Sequence, residues 1–210
     1  MGYEVSLRKS EAALIEVITP QEVREMQNGN YEGTLSDDHL KRTAGEKGKV
    51  INIALIGNPN CGKTTLFNFA SKSREHVGNY SGVTVGAKKA TFKQNGYKFN
   101  IVDLPGTYSM SAYSPEELFV RRYIIDEVPD IVVNVVDAGN LERNLFLTTQ
   151  LIDMDIKVVI ALNMYDDLIK KGDRFDYKSL GEMIGIPIVP TVSSRGKGIP
   201  KLFDKIIDVY

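Results

Sequence analysis

The sequence predicts an α/β fold with a mostly parallel, six-stranded sheet, helices on both faces and one antiparallel hairpin strand. Two observations lead to this prediction. From residue 50 onward, short apolar runs alternate with segments of helical pattern, and this alternation favours a parallel sheet covered by helices on both sides. In addition, Asn95-Gly96 separates two strand-like runs. Such a pair indicates a two-residue hairpin, because both turn positions need a positive φ.

Each element follows from a local pattern. Strands are predicted from short runs of β-branched and other apolar residues, at residues 50–56, 87–94, 97–102, 131–136, 157–163 and 186–189. Helices are predicted at residues 63–71, 140–153, 177–184 and 199–210, and a further helix begins at Ser114. Ser114 is a suitable N-cap, Pro115 fits the first turn, and the acids that follow complement the helix dipole.

The composition is that of an ordinary globular domain. Of the 210 residues, 42% are hydrophobic and 25% are charged, and the formal net charge is −1. This balance predicts no nucleic-acid partner, because no basic run stands out. The single cysteine, Cys61, excludes an intrachain disulfide, and no apolar stretch approaches the ~18 residues that span a bilayer. We therefore expect the chain itself to be soluble and to lie in a reducing cytosol.

A change in composition near Gly48 predicts three regions. Residues 50–210 form the α/β domain. Residues 19–49 are polar and rich in Asn, Gly, Asp and Lys, which is typical of a linker. Residues 1–18 contain two short strand-like runs.

A glycine-rich sequence after the first strand carries the strongest functional signal. Residues 57–64 read Gly-Asn-Pro-Asn-Cys-Gly-Lys-Thr, the phosphate-binding loop pattern of P-loop NTPases, and they lie between a strand and a helix as that motif requires. Backbone N–H groups and the helix N-terminus would bind nucleotide phosphates. Lys63 would add a full charge, and the Thr64 hydroxyl would ligate Mg²⁺. The alternative is a chance glycine-rich turn, which the flanking elements disfavour.

Two segments between the phosphate loop and the middle of the chain predict contacts with the metal and the last phosphate. Asp103-Leu104-Pro105-Gly106 ends a strand, so Asp103 would hold Mg²⁺ through a water and Gly106 would offer its N–H to the γ-phosphate. Residues 73–86 are polar and contain glycine. Such a loop can fold over the γ-phosphate and bring Thr84 to the metal, and the alternative is a merely mobile loop.

Two later segments predict recognition of guanine. Asp166, in Asn163-Met164-Tyr165-Asp166, can accept hydrogen bonds from guanine N1–H and the 2-amino group, a pattern that adenine lacks. Asn163 would brace the loop and the base. The run of residues 193–198, Ser-Ser-Arg-Gly-Lys-Gly, could meet guanine O6 with backbone N–H groups, and a plain glycine-rich turn is its alternative.

Together these motifs resemble the translation-factor-related small GTPases, and within them the FeoB ferrous iron transporters. The resemblance covers residues 50–210, with the FeoB match resting on residues 57–64, 79–85, 103–109 and 114–117. The middle two stretches are similar to the first and second switches of that family. The family assignment implies a Ras-like G domain that hydrolyses GTP to GDP and phosphate with Mg²⁺.

The resemblance also implies finer properties. FeoB-like GTPases are activated by K⁺ with an asparagine ligand in the phosphate loop, and the matching residue is Asn60. A monovalent cation there would neutralise charge that develops during hydrolysis. The alternative is an asparagine that only braces the loop. Met164 stands where most GTPases carry lysine, which implies weak affinity and fast exchange. Thr107 stands where Ras-like enzymes carry glutamine, which implies slow turnover.

The resemblance further implies a larger protein around this chain. Residues 5–17 resemble the final strands of the small partner FeoA, so residues 1–18 would be a FeoA-like remnant of a fused polypeptide. The expected partners are guanine nucleotide, that FeoA-like domain, and helical and transmembrane parts of the same full-length chain. The domain would lie on the cytoplasmic side of the cell membrane and regulate Fe(II) transport.

The predicted site comprises three overlapping sets. The catalytic residues are Asn60, Lys63 and Gly106. The nucleotide-binding residues are Gly57, Asn58, Pro59, Asn60, Cys61, Gly62, Lys63, Thr64, Thr65, Thr84, Asp103, Gly106, Asn163, Met164, Asp166, Ser193, Ser194 and Arg195. The metal ligands are Thr64, Thr84 and Asp103 for Mg²⁺ and Asn60 for K⁺.

Two other functions fit the same motifs. One is a soluble K⁺-dependent GTPase of ribosome assembly or tRNA modification. Such proteins usually carry lysine at the position of Met164 and often a basic RNA-binding appendage, and this sequence has neither. The other is a non-catalytic sensor that binds GTP and signals by conformation alone, which measurement of phosphate release would separate from a hydrolase.

Overall fold

The computed structural model describes residues 48–71, 76–79, 87–111 and 113–210. The remaining residues include the proposed FeoA-like segment, the linker and Thr84, so those predictions lie outside the described residues. In the part of the chain that is described, no helix is both long and apolar enough to cross a membrane.

A central sheet organises the described domain. Its strands are β1 (Val50–Gly57), β2 (His76–Asn79), β3 (Lys88–Gln94), β4 (Tyr97–Asp103), β5 (Ile131–Asp137), β6 (Val158–Asn163) and β7 (Ile188–Pro190). Their order across the sheet is β2-β3-β4-β1-β5-β6-β7. Strand β3 is antiparallel to β2 and β4, and the other neighbours are parallel. The carboxyl ends of β1, β4, β5 and β6 therefore meet at one edge.

Helices cover both faces of the sheet. They are α1 (Lys63–Ser71), α2 (Pro115–Glu127), α3 (Leu141–Asp153), α4 (Tyr165–Lys170), α5 (Tyr177–Ile184) and α6 (Ile199–Val209), and a short 3₁₀ turn spans Ser193–Arg195. One core cluster joins α1 and α6 to the sheet, and its largest members include Phe67, Phe99 and Phe203. A second cluster packs α2 and α3 against the other face through Val120, Ile124 and Leu147. Successive side chains of β1 belong alternately to the two clusters, and this explains why nearly all of that strand is apolar.

The predicted fold class is confirmed, and all six predicted strands are present. The hairpin also forms as predicted, with φ of 50° at Asn95 and 79° at Gly96. The structure adds an edge strand, β2, inside the segment interpreted as a loop, because its backbone pairs with β3. It also adds helix α4 directly after β6, in a region for which no helix was predicted.

Candidate nucleotide-binding site

The phosphate loop is packed tightly between neighbouring strands. A Cβ atom at Gly57 would lie 2.4 Å from the Val135 carbonyl oxygen, and one at Gly62 would lie 2.2 Å from Asn163 Nδ2. Gly62 also has a φ of 86°, a region that side chains disfavour. No larger residue fits at either position, so both glycines are needed for the loop to pack this closely against its neighbours. Helix α1 begins at Lys63, and the N–H groups of its first turn have no partner within the helix.

Three predicted side chains meet where β1 and β4 lie side by side. The Lys63 amine donates to Asp103 Oδ1, and the Thr64 hydroxyl donates to Asp103 Oδ2 at 2.8 Å. Lys63 and Asp103 are both buried, so their ion pair is poorly screened by solvent. Parallel pairing of β1 with β4 brings Asp103 beside Leu55, two residues before the loop. The structure therefore places the predicted phosphate-binding lysine and both described residues of the predicted magnesium site in one cluster.

The segment after Asp103 is attached to the phosphate loop through its backbone. Thr107 donates its N–H to the Gly57 carbonyl at 3.0 Å. A Cβ atom at Gly106 would lie 3.0 Å from Pro59 Cα, so glycine permits this close approach. The side chain of Thr107 is buried, and its hydroxyl donates to the Ser109 carbonyl. That hydroxyl is thus engaged within its own segment.

Asn163, at the end of β6, connects the phosphate loop to the segment at residues 193–195. Its amide nitrogen donates to the Cys61 carbonyl at 2.9 Å. Its amide oxygen accepts from Ser193 N at 2.9 Å, from Ser193 Oγ at 2.7 Å and from Thr191 Oγ1 at 3.3 Å. The residue is 2% exposed. Its predicted role of bracing the loop agrees with these contacts.

The turn that follows Asn163 presents Asp166 at the start of helix α4. Met164 adopts a φ of 56° and forms the N-cap position, so the chain turns sharply after the strand. Asp166 is 26% exposed by side chain, and its Oδ2 lies 3.3 Å from the Lys170 amine. Lys170 also contacts Asp167, and the hydrogen bonds to Asp167 and Asp166, together with their charges, raise the Lys170 pKa.

Two adjoining cavities run along this surface. The first has a volume of about 550 Å³ and is lined by Asn58, Pro59, Asn60, Gly62, Lys63, Thr64, Thr65, Gly106 and Met164. The second, of about 340 Å³, is lined by Gly62, Thr65, Asn163, Met164, Asp166, Asp167, Lys170, Val192, Ser193, Ser194 and Arg195. They share Gly62, Thr65 and Met164, so they form one cleft with a phosphate-loop half and a half around Asp166.

Most of the predicted site residues line this cleft, and three described ones do not. Gly57 and Cys61 line neither half, and Asp103 reaches it only through Lys63 and Thr64. The Cys61 side chain lies in the core, and burial raises the pKa of its thiol to about 11. Only the main chain of Cys61 can therefore face a ligand in the phosphate loop.

The structure also adds residues that the motifs did not indicate. Lys170 and Asp167 lie in the half of the cleft around Asp166. An acid followed four residues later by lysine is a favourable helical pair, and this signal would have identified Lys170 had the short helix been predicted. Thr191 contacts Asn163 but belongs to no motif, so no local signal pointed to it.

Comparisons with known proteins agree with this geometry. The family model of ferrous iron transport protein B matches residues 51–206. The chain is 51% identical, over 233 aligned residues, to the Fe(2+) transport protein A/Fe(2+) transporter FeoB fusion protein of Porphyromonas gingivalis, covering all of this chain and 28% of that protein. It is 46% identical, over 158 residues, to the Fe(2+) transporter FeoB of Escherichia coli K12, covering 73% of this chain and 20% of that protein. The chain thus spans only 20% to 28% of the length of these curated relatives.

Solved structures show the same relationship. The FeoB G-domain of Methanococcus jannaschii superimposes with a TM-score of 0.68 at 42% identity, over 77% of this chain and 97% of that one. An NFeoB mutant of S. thermophilus bound to GDP superimposes with a TM-score of 0.70 at 46% identity, over 76% of this chain and 62% of that one. The phosphate loop, the cleft and these matches lead to one conclusion: this chain belongs to the ferrous iron transport protein B family and contains its P-loop G domain.

Proposed function

We propose that this chain is a guanine-nucleotide switch that binds GTP with Mg²⁺ and hydrolyses it to GDP and phosphate. The observation that carries the proposal is the continuous cleft in which Asn163 ties the phosphate loop to residues 193–196, which we call the base-recognition turn. Binding of GDP by the S. thermophilus relative supports it. The hypothesis of a GTPase of ribosome assembly or tRNA modification is disfavoured by the family assignment.

The two halves of the cleft suit the two ends of the nucleotide. In the first half, main-chain N–H groups of the phosphate loop and the Lys63 amine provide positive charge for the phosphates. In the second half, Asp166 can accept from guanine N1–H and the 2-amino group. The main chain of Ser194 and Arg195 lies on the same side and can supply N–H donors for guanine O6.

The donor set beside Lys63 fits Mg²⁺. The Thr64 hydroxyl and the Asp103 carboxylate are hard oxygen ligands whose atoms lie 2.8 Å apart, and Mg²⁺ is commonly held by one or two protein oxygens together with phosphates and waters. Thr84, the third proposed ligand, lies outside the described residues. When bound there, the metal would supply positive charge that neutralises the nucleotide phosphates.

The chain's own contribution to hydrolysis would be mainly electrostatic. Lys63 places charge at the phosphates, and the Gly106 N–H can donate to the γ-phosphate. Thr107 keeps its hydroxyl bonded within its segment, so it does not replace a water-orienting glutamine. We therefore propose slow turnover that depends on a monovalent cation. Asn60 is exposed, lines the phosphate half and has a φ of 65°, a position from which its side chain can ligate K⁺.

Hydrolysis measured in two salts tests this mechanism. We expect phosphate release from GTP with Mg²⁺ to be several-fold faster in K⁺ than in Na⁺, and Asn60→Ala to lose that difference while still binding GDP. Equal rates in both salts would refute the role of Asn60. GTP binding without any phosphate release would instead support the non-catalytic sensor.

Replacement of Asp166 tests the proposed base recognition. Asparagine donates one hydrogen bond and accepts another, which matches the N1–H and O2 of xanthine. Asp166→Asn should therefore weaken GDP binding by at least tenfold and strengthen binding of xanthosine diphosphate. Asp173→Asn, at an exposed acid just beyond the same short helix that lines neither half of the cleft, is the matched control and should leave the preference for guanine intact. An unchanged preference in Asp166→Asn would contradict the assignment.

In the longer protein we propose that this domain lies on the cytoplasmic side of the membrane and regulates Fe(II) transport by the membrane part of the same chain. The names of the relatives support this role. Alignment of the whole chain with a fusion protein supports the proposal that residues 1–18 are FeoA-like, residues 19–49 a linker and residues 50–210 the G domain. Lys63→Ala in the full-length protein should abolish nucleotide-dependent Fe(II) uptake, and wild-type uptake would contradict the proposal.

A further inference from the structure

Residues 107–111, which we call the docking segment, lie against helix α3 and contact the side chains of two of its residues. The Arg143 guanidinium carbon lies 4.0 Å from the centre of the Tyr108 ring. The Gln150 side-chain oxygen accepts from the Met110 N–H at 2.7 Å, and the Met110 side chain is buried. Arg143 and Gln150 are seven residues apart, so they share one face of the helix.

The start of α3 is also attached to the phosphate loop. Asn58 donates its amide nitrogen to the Arg143 carbonyl at 3.3 Å, and Asn58 is 4% exposed. Arg143 therefore contacts the loop through its main chain and the docking segment through its side chain. The docking segment begins directly after Gly106, the residue proposed to donate to the γ-phosphate. Helix α3 is thus in contact with both segments that would respond to the nucleotide.

We propose that Arg143 and Gln150 are positioning residues that hold the docking segment on α3 and thereby set the relative affinity for GTP and GDP. The inference rests on the proposed binding of GTP. If the segment moves when a γ-phosphate is present, the two contacts stabilise only one nucleotide state. A ligand shifts such an equilibrium only through its different affinity for the two states. Loss of either contact must then change the affinity ratio, whereas a purely structural role would weaken both nucleotides equally.

Titrations of the purified protein with GDP and with a non-hydrolysable GTP analogue, each in the presence of Mg²⁺, test the proposal. We expect Arg143→Ala and Gln150→Ala each to change the ratio of the two dissociation constants by about two- to five-fold, as expected for one modest contact. Both changes must have the same sign, because both contacts hold the same segment. Gln150→Glu keeps an acceptor for the Met110 N–H and should restore the wild-type ratio. Glu142→Ala, at an exposed neighbour in the first turn of α3, is the matched control.

A fluorescent reporter gives a second readout. The chain contains no tryptophan, so Tyr108→Trp introduces a single tryptophan, which can be excited apart from the tyrosines and can still stack under a guanidinium. We expect its emission to differ between the GDP and GTP-analogue states, and this difference to shrink when Arg143→Ala is added.

The outcomes distinguish the inference from the proposed function. Unchanged ratios in both alanine variants, or shifts of opposite sign, would overturn the role of α3 while GTP binding stands. Failure of the wild-type protein to bind either nucleotide would overturn both.

Discussion

Asn163 shows how one buried side chain can join the two ends of a binding cleft. Its amide nitrogen reaches the phosphate loop, and its amide oxygen accepts three hydrogen bonds from Thr191 and Ser193. Glycine at position 62 leaves the space in which that nitrogen lies. The geometry of the base-recognition turn therefore depends on the loop that would hold the phosphates.

Gly196 provides a prediction about the same turn. A Cβ atom there would lie 1.8 Å from Phe69 Cζ, and the residue has a φ of 70°. Gly196→Ala should therefore displace Phe69 and cost more than the ~1–2 kcal/mol expected for a left-handed alanine alone. Gly172→Ala is the matched control, since Gly172 has a φ of 81° with nothing within 4 Å of the added atom. Urea unfolding measures the free energy of unfolding of both variants. Equal losses of stability would show that the contact with Phe69 is unimportant.

Cys61 provides a second prediction at this scale. Burial raises the pKa of its thiol from 9.0 to about 11, and the thiolate is the reactive form. At pH 8 the fraction of thiolate should be about a hundredfold below that of an ordinary cysteine. Mass spectrometry can measure the rate at which iodoacetamide alkylates the thiol. Alkylation of the folded protein should be at least a hundredfold slower than alkylation in urea. Comparable rates would mean that the thiol is accessible.

At the scale of the element, helix α2 begins in a capping box that also holds the segment before it. Ser114 and Glu117 exchange hydrogen bonds with each other's backbone. Glu117 also accepts from Ser109 Oγ at 2.9 Å and from the Tyr113 N–H at 3.1 Å. One carboxylate therefore fixes both the start of the helix and the end of the docking segment.

This capping box predicts a pH-dependent stability. Desolvation raises the pKa of the Glu117 carboxyl. The hydrogen bonds from Ser109 and from the backbone of residues 113 and 114 outweigh this effect and hold the pKa below its usual 4.5. The stabilisation is present above the unfolded-state pKa and is lost as the pH falls through the lower folded-state value.

Substitution of Glu117 tests that dependence. Glu117→Gln should lower the free energy of unfolding by ~1 kcal/mol at pH 7, because hydrogen bonds to a charged acceptor contribute about that much more than hydrogen bonds to a neutral one. The difference from wild type should shrink below pH 4.5. Glu116→Gln, which removes the same charge from the same helical turn, should cost less and show a weaker pH dependence. Urea unfolding at several pH values measures this, and a difference that is constant with pH would contradict the role of the carboxylate.

At the scale of the whole molecule, an aromatic cluster closes the face of the sheet that carries α1 and α6. The rings of Phe92, Phe99 and Phe203 lie with their centres 5.0 to 5.2 Å apart. They join β3, β4 and α6, and none of them lines the nucleotide cleft. The cluster should therefore contribute to stability and not to binding.

Phe203→Ala tests this separation. Removal of a fully buried phenylalanine should lower the free energy of unfolding by about 3–5 kcal/mol. GDP at a hundred times its dissociation constant should add about 2.7 kcal/mol to the wild type and to the variant alike. A much smaller gain in the variant would show that the cluster also supports the cleft.

Local patterns in the sequence predicted much of this fold. The bounds of α1 and α5 agree with the predicted ones, and each predicted strand is present within a few residues. Helix α4 was missed because its six residues are too few to show a helical repeat. Strand β2 was missed because a polar segment forms a strand there only by pairing with β3, and this pairing has no local signature.

The sequence by itself determined the local features: a glycine-rich phosphate-loop motif, a hairpin turn with positive φ, and an acid that is predicted to read guanine. Only the tertiary structure decided which groups meet. Lys63 and Thr64 bond to Asp103, 40 and 39 positions away, and Asn163 bonds to Cys61 across 102 positions. Spacing along a chain fixes backbone conformation over a few residues, whereas contacts over such separations depend on how the strands pair and how the sheet edge assembles.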